Sequence, residues 1–224
     1  MVKSNKLTNL IFFFIICLIG IYLRIYQINF DDYWLDEIAT LWVANPELSF
    51  SETLNRSYNL NNGVGLFFDL ILKHFFRIFG YDPALGRLVP LFFGILSIPF
   101  LCYLSCQIDK NKSYLFTAFL ISINWYLISY SQETRTYSLT FFLAIVSIIF
   151  FFKKIDNKLI KNKQLVYSTL YILFTFLGTL THLFFFIIII SQAMFLAIQY
   201  HLYKKKFFFA FYNILAVVVL FFIF

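Results

Sequence analysis

Charge is scarce in this sequence: Asp, Glu, Lys and Arg make up 13% of its 224 residues, against 61% hydrophobic residues and a mean hydropathy of +0.80. That composition excludes a soluble globular domain, whose surface needs roughly a quarter of its residues charged. Cysteine is scarce too. Cys17, Cys102 and Cys106 all fall inside apolar runs with no paired spacing, which argues against a cysteine metal site and for packing. No small-x-small cleavage site follows the first apolar stretch, so Lys3 and Lys6 introduce a retained anchor and not a removable leader. Internal repeats are absent, and the only biased stretch is the Lys/Asn-rich segment 153–164. One membrane domain over 1–224 is the economical description.

Long apolar runs dominate what remains. A helix crossing a bilayer needs about 20 apolar residues, and runs of that kind cover 7–26, 85–107, 113–130, 136–152, 165–181, 182–203 and 207 onward. The last run reaches Phe224 without a polar flank, so the natural chain is expected to continue. The fold expected is all-α, a polytopic transmembrane helical bundle of about seven spans. Lysines orient it, because residues retained in the cytoplasm are enriched in Lys and Arg near span ends. With the N-terminus inside, twelve of the thirteen lysines fall on the cytoplasmic side, Lys73 being the exception. Nine of the eleven acids and all five arginines fall on the outer side or near it. The net charge of +7 is then an orientation signal, and no nucleic-acid partner is expected. This alternation requires that the run from Val64 to Phe79 does not cross. It carries Asp69, Lys73 and Arg77 at i, i+4 and i+8, which predicts an interfacial helix inside an outer loop over 27–84, its charged stripe meeting water or headgroups.

Three polar clusters converge on the outer face: Asp31 to Glu37 near Arg24, Ser131 to Ser138, and Thr181-His182, with Arg87 as a fourth contributor. Ionisable groups at membrane depth are costly and mark functional sites by default. Carboxylates beside arginines at an outer leaflet suit a lipid-linked phosphate: guanidinium grips phosphate and stabilises the leaving charge, while carboxylate takes a proton from an acceptor hydroxyl.

Four segments resemble the GT-C class of membrane glycosyltransferases, nearest the polyprenyl-phosphate-mannose protein mannosyltransferase group, family 39. They are Leu23-Arg24 leading into Tyr33-Trp34-Leu35-Asp36-Glu37-Ile38-Ala39; Phe79-Gly80 followed by Ala84-Leu85-Gly86-Arg87-Leu88-Val89-Pro90; Tyr130-Ser131-Gln132-Glu133-Thr134-Arg135-Thr136-Tyr137-Ser138-Leu139; and Thr181-His182. Their joint order and spacing carry the resemblance, which covers nearly the whole chain as an N-terminal GT-C-like module. The chain departs from the family at Asn61-Asn62-Gly63-Val64-Gly65, where His-Pro-Pro is usual, and in being much shorter.

The resemblance implies an inverting transfer of a sugar from a polyprenyl-phosphate donor to a protein, lipid or glycan acceptor on the extracytoplasmic face. Asp36 would be the catalytic base and Glu37 would help position it. Arg135 would bind the lipid phosphate, joined by Arg24 and Arg87 unless these only anchor helix ends. His182 would assist at the outer face. Glu133 would pair with Arg135 or simply solvate its loop, and Trp34 and Tyr137 would stack on sugar or serve as belt aromatics. Two adjacent acids do not define a divalent-cation site, so no metal or other cofactor is assigned. Two alternatives stay open: a transporter or headgroup translocase, and a noncatalytic fragment of a split or truncated transferase.

Overall fold

The computed structural model describes residues 6–109, 113–155, 161–203 and 208–223. Expected inner-loop lysines Lys3, Lys110, Lys112, Lys158 and Lys204 to Lys206 lie outside the described residues. Twelve helices form among the described residues, and no strand: α1 (Lys6–Ile25), α2 (Leu35–Val43), α3 (Phe50–Asn61), α4 (Leu66–Phe79), α5 (Pro83–Gly86), α6 (Leu88–Asp109), α7 (Tyr114–Ile123), α8 (Trp125–Ser131), α9 (Tyr137–Lys154), α10 (Lys161–Thr179), α11 (Phe185–Tyr203) and α12 (Phe208–Ile223). Four segments are long and apolar enough to cross a membrane: Lys6–Ile25, Pro83–Asp109, Tyr137–Lys154 and Phe185–Leu202.

The other three expected runs are helical but differ from that pattern for local reasons. Between Ser113 and Tyr130 the helix breaks at Asn124, whose extended backbone ends α7 and whose side chain caps α8 by accepting from Leu127 N at 3.0 Å. A polar first turn, Lys161 to Gln164, lowers the mean apolarity of α10. The described part of α12 is 16 residues long.

The break at Asn124 would leave the last carbonyls of α7 without partners, which is costly away from water. Arg24 supplies the donors. Its Nη2 donates to Ile121 O at 2.8 Å and its Nη1 to Ser122 O at 3.3 Å and Gly20 O at 2.9 Å, with the side chain 1% exposed. Gly20 makes this possible, since a Cβ there would meet Ser122 Oγ at 2.5 Å. Helix α6 packs against α1, α7, α8 and α9, and α9 continues the bundle through α10 to α12. One apolar core runs from Leu139, Leu143 and Phe151 of α9 through Tyr171 of α10, Phe185 and Ile189 of α11 and Val217 of α12. It extends onto Phe68, Leu72 and Phe76 of α4, so the short helices are built into the same core.

The segment 27–84 is three helices and a turn of a fourth, where one interfacial helix was expected. A capping box starts α3: Ser49 Oγ accepts from Glu52 N at 3.2 Å while Ser49 N donates to Glu52 Oε2 at 2.7 Å. Asp69 and Lys73 of the charged stripe of α4 are turned inward, which corrects for these two the expectation that the stripe meets water or headgroups, while Arg77 is exposed. Lys73 is 4% exposed and its Nζ donates to Leu48 O at 2.7 Å, Ser49 O at 3.2 Å and Thr53 Oγ1 at 2.6 Å. Arg77 donates to Pro46 O at 3.2 Å, and Asp69 accepts from Ser57 Oγ at 3.2 Å. Carbonyls of the 46–49 turn and the hydroxyls of α3 thus satisfy the stripe. Both ends of α4 are tied to the same end of the bundle: Gly65 N donates to Leu180 O at 3.1 Å, and Tyr81, just past α4, donates from its hydroxyl to Leu41 O at 3.0 Å.

Candidate functional site

Residues gathered at this end come from five parts of the chain. Gln132 Nε2 donates to Arg24 O at 3.0 Å and Tyr26 O at 2.8 Å, which docks the α8–α9 turn onto the end of α1. Thr134 N donates to Glu37 Oε1 at 2.6 Å, which docks the same turn onto α2. The clusters expected to converge do so.

Adjacent acids at the start of α2 have different surroundings. Glu37 is fully buried and accepts from Arg87 twice, Nε to Oε1 at 3.2 Å and Nη2 to Oε2 at 3.0 Å. Arg87 also donates to Ile28 O at 2.9 Å and Asp31 O at 3.0 Å and lies 4.3 Å from the centre of the Tyr33 ring. The pair is satisfied inside the protein, fastening the loop after α1 to α2 and α6. Glu37, Arg87 and Arg24 are therefore held by structural partners: Glu37 is placed to position its neighbour, and of the two roles open to Arg24 and Arg87, phosphate binding or anchoring helix ends, these contacts are of the anchoring kind.

Asp36 is 47% exposed and meets Arg135 through Oδ2 and Nη2 at 3.5 Å. Arg135 Nη1 donates to Asp36 O at 3.0 Å and Thr40 Oγ1 at 2.9 Å, and the guanidinium carbon lies 6.0 Å from the Trp34 ring and 5.9 Å from the Tyr137 ring. Its Nε is buried without a hydrogen-bond partner. The side chain as a whole is 16% exposed and lines a polar cavity, so a guanidinium fixed by its neighbours stands where an anion can be held. Glu133 does not take the first of its two expected roles, an ion pair with Arg135. It instead accepts from Ser129 Oγ at 3.2 Å and lines a separate cleft with Asp31, Asp32 and Glu37, where burial and the Glu37 charge push its carboxyl up.

Arg135 opens onto a cavity of about 380 Å³ whose walls include Thr40, Ser57, Asp69, Thr136, Thr181 and His182. A second cavity of about 540 Å³, lined by Leu127, Tyr137, Phe141, Ala144, Phe185 and Ile188 among others, shares His182 with the first. His182 sits in the turn between α10 and α11, with its Nδ1 accepting from Phe184 N at 3.1 Å. Burial, then the positive charge of Arg135, holds its imidazole below the usual histidine range. A neutral ring that accepts at Nδ1 carries its proton on Nε2 and so offers one donor. Tyr137 lies with its ring 6.0 Å from His182 and 4.6 Å from Tyr130.

Asp69 was expected on an interfacial stripe and is instead a wall of the polar cavity, 7% exposed. Burial pushes its carboxyl up to about 7 against the opposing pull of Ser57 and Arg135. Its sequence signal is slight: one acid in the apolar helix after Gly63-Val64-Gly65. Those two glycines hold φ of +77° and +98°, which proline cannot adopt, so the turn beside the cavity differs from one built on His-Pro-Pro. No group of three or more His, Cys, Asp or Glu that could hold a metal ion occurs among the described residues. Comparison with protein-family models, with curated proteins and with solved structures finds no match.

Proposed function

We propose that the protein is a membrane glycosyltransferase that moves a sugar from a polyprenyl-phosphate donor to an acceptor at the extracytoplasmic face, with inversion at the anomeric carbon. The observation that carries this reading is the pairing of two cavities through His182: a polar one lined by a fixed guanidinium, and an apolar one beside it. A phosphate on a long hydrocarbon chain has that polarity. Arg135 takes the phosphate, His182 Nε2 adds a donor, and Tyr137 lies along the route from one cavity to the other. Asp36, half exposed and 3.5 Å from Arg135, accepts the proton of the acceptor hydroxyl as its oxygen attacks the sugar; the bond from sugar to phosphate oxygen breaks, and Arg135 stabilises the charge left on the lipid phosphate. Glu37 and Arg87 position Asp36 by fixing the first turn of α2. No metal enters this account.

The same reading assigns about seven crossings, adding α7 with α8, α10 and α12 to the four long segments, with the N-terminus cytoplasmic. In its favour, all five arginines lie at the Asp36 end, while Lys153 lies against Tyr103 and Tyr167 toward the other ends of their helices. A translocase would favour ionisable groups deep in the bundle. Here the polar cluster between α9, α10 and α11 joins Ser147, Tyr171, Thr175 and Gln192 by hydrogen bonds of 2.6 to 3.3 Å, and the buried cation beside it, Lys154, 3.3 Å from the centre of the Tyr171 ring, stands at the last residue of α9.

Membranes containing the full chain, given a labelled polyprenyl-phosphate sugar, test the proposal. Asp36→Asn is expected to lose transfer while still binding the lipid, and Arg135→Gln to lose both. Transfer at the wild-type rate in Asp36→Asn removes Asp36 from the chemistry.

A further inference from the structure

We infer that Asp69, with Ser57 beside it, is the residue of the polar cavity that reads the donor's sugar, accepting hydrogen bonds from ring hydroxyls. The inference rests on the proposed lipid-phosphate site and extends it to a second charged residue of the same cavity. Three observations lead there.

First, the cavity is lined by charge of both signs. Arg135 and His182 bring donors to its lining, and Asp69 brings a carboxylate. A phosphate beside Asp69 would be repelled, so the ligand group that fits there is a neutral hydrogen-bond donor. Second, Asp69 is 7% exposed, accepts one hydrogen bond, from Ser57 Oγ at 3.2 Å, and forms no ion pair among the described residues. A carboxylate buried with so little compensation is costly to the fold, and a ligand rich in hydroxyls would satisfy it. The neighbouring Gly65 keeps that side open, since a Cβ there would stand 4.0 Å from Asp69 Oδ2 and 3.4 Å from Thr136 Cγ2.

Third, the pair of cavities matches the donor. The apolar cavity adjoins the polar one at His182. The inference lays the lipid in the apolar cavity, and the phosphate and sugar in the polar one, at Arg135 and Asp69 respectively. A purely structural Asp69 would only tie α4 to α3 through Ser57, and an asparagine would serve that purpose equally.

Competition binding on the full chain in nanodiscs separates these roles. The probes are polyprenyl methyl phosphate, which has the lipid and the singly charged phosphodiester without a sugar, and the corresponding mannosyl, glucosyl and galactosyl esters. At pH 8.5, where the Asp69 carboxyl is mostly ionised, hydrogen bonds to a charged acceptor imply that at least one hexosyl ester binds the wild type about tenfold or more tightly than the methyl ester. Asp69→Asn, and independently Ser57→Ala, should cut that preference about tenfold while methyl ester affinity stays within twofold. Thermal unfolding of each variant checks that it is folded. No hexosyl preference in the wild type, or a preference that survives in both variants, overturns the inference. A methyl ester that fails to bind, or binds equally well in Arg135→Gln, overturns the phosphate site itself and the inference with it.

Discussion

Replacing Glu37 and replacing Asp36, neighbours in sequence, should have opposite consequences. Glu37→Ala removes both carboxylate acceptors of the Arg87 guanidinium, leaving it only backbone carbonyls, and the partner of Thr134 N, in a site where neither charged side chain exceeds 3% exposure. Breaking a buried ion pair by deleting one partner costs about 3 to 5 kcal/mol, most of it from the charge left behind. Asp36→Asn alters a side chain that is 47% exposed and 3.5 Å from its partner, an interaction worth about 0 to 1 kcal/mol. Denaturant unfolding in a constant detergent measures both, and a cycle with Arg87→Met isolates the pair: Glu37→Ala in the Arg87→Met background should cost about 1 to 2 kcal/mol less than in the wild type. Equal destabilisation by Glu37→Ala and Asp36→Asn would refute the division of roles.

Arg24→Leu should destabilise by about 1 to 3 kcal/mol for each stranded carbonyl of Ile121 and Ser122, read in the same unfolding assay. It should weaken lipid-phosphate binding far less than Arg135→Gln does. Asp69 predicts a pH dependence with a definite sign. Its folded carboxyl is raised from 3.8 to about 7, so the folded state holds a proton that the unfolded state releases. This group's contribution to stability falls as pH rises from about 4 to 7 and levels off above that, and Asp69→Asn should remove that slope in unfolding measured across the range. Gly65→Ala places a Cβ at φ +98° and 3.4 Å from Thr136 Cγ2, and should cost about 1 to 2 kcal/mol.

Membrane helices were legible because apolar runs report the solvent directly. Arg24, Asp36, Arg135 and His182 meet at one end, as expected from where their segments fall between apolar runs. What the sequence concealed are choices made by tertiary partners. A single Asn124 in an apolar run does not announce a break until Arg24 is seen capping the carbonyls it frees. The stripe Asp69, Lys73, Arg77 has the same period whether it faces headgroups or the α3 hydroxyls, and only the capping-box start of α3 at Ser49 hints at a helix there to receive it. Asp36 and Glu37 look alike in sequence; one residue of rotation about α2, roughly 100°, buries one and leaves the other, half exposed, beside Arg135.

The most direct test of the account is a balance sheet of one reaction. Vesicles bearing the full chain receive a polyprenyl-phosphate sugar labelled in both the sugar and the lipid. The account predicts free polyprenyl phosphate in equal amount to covalently transferred sugar, with neither product in Asp36→Asn. Doubly labelled lipid that crosses the membrane intact, with no sugar transferred, would contradict it.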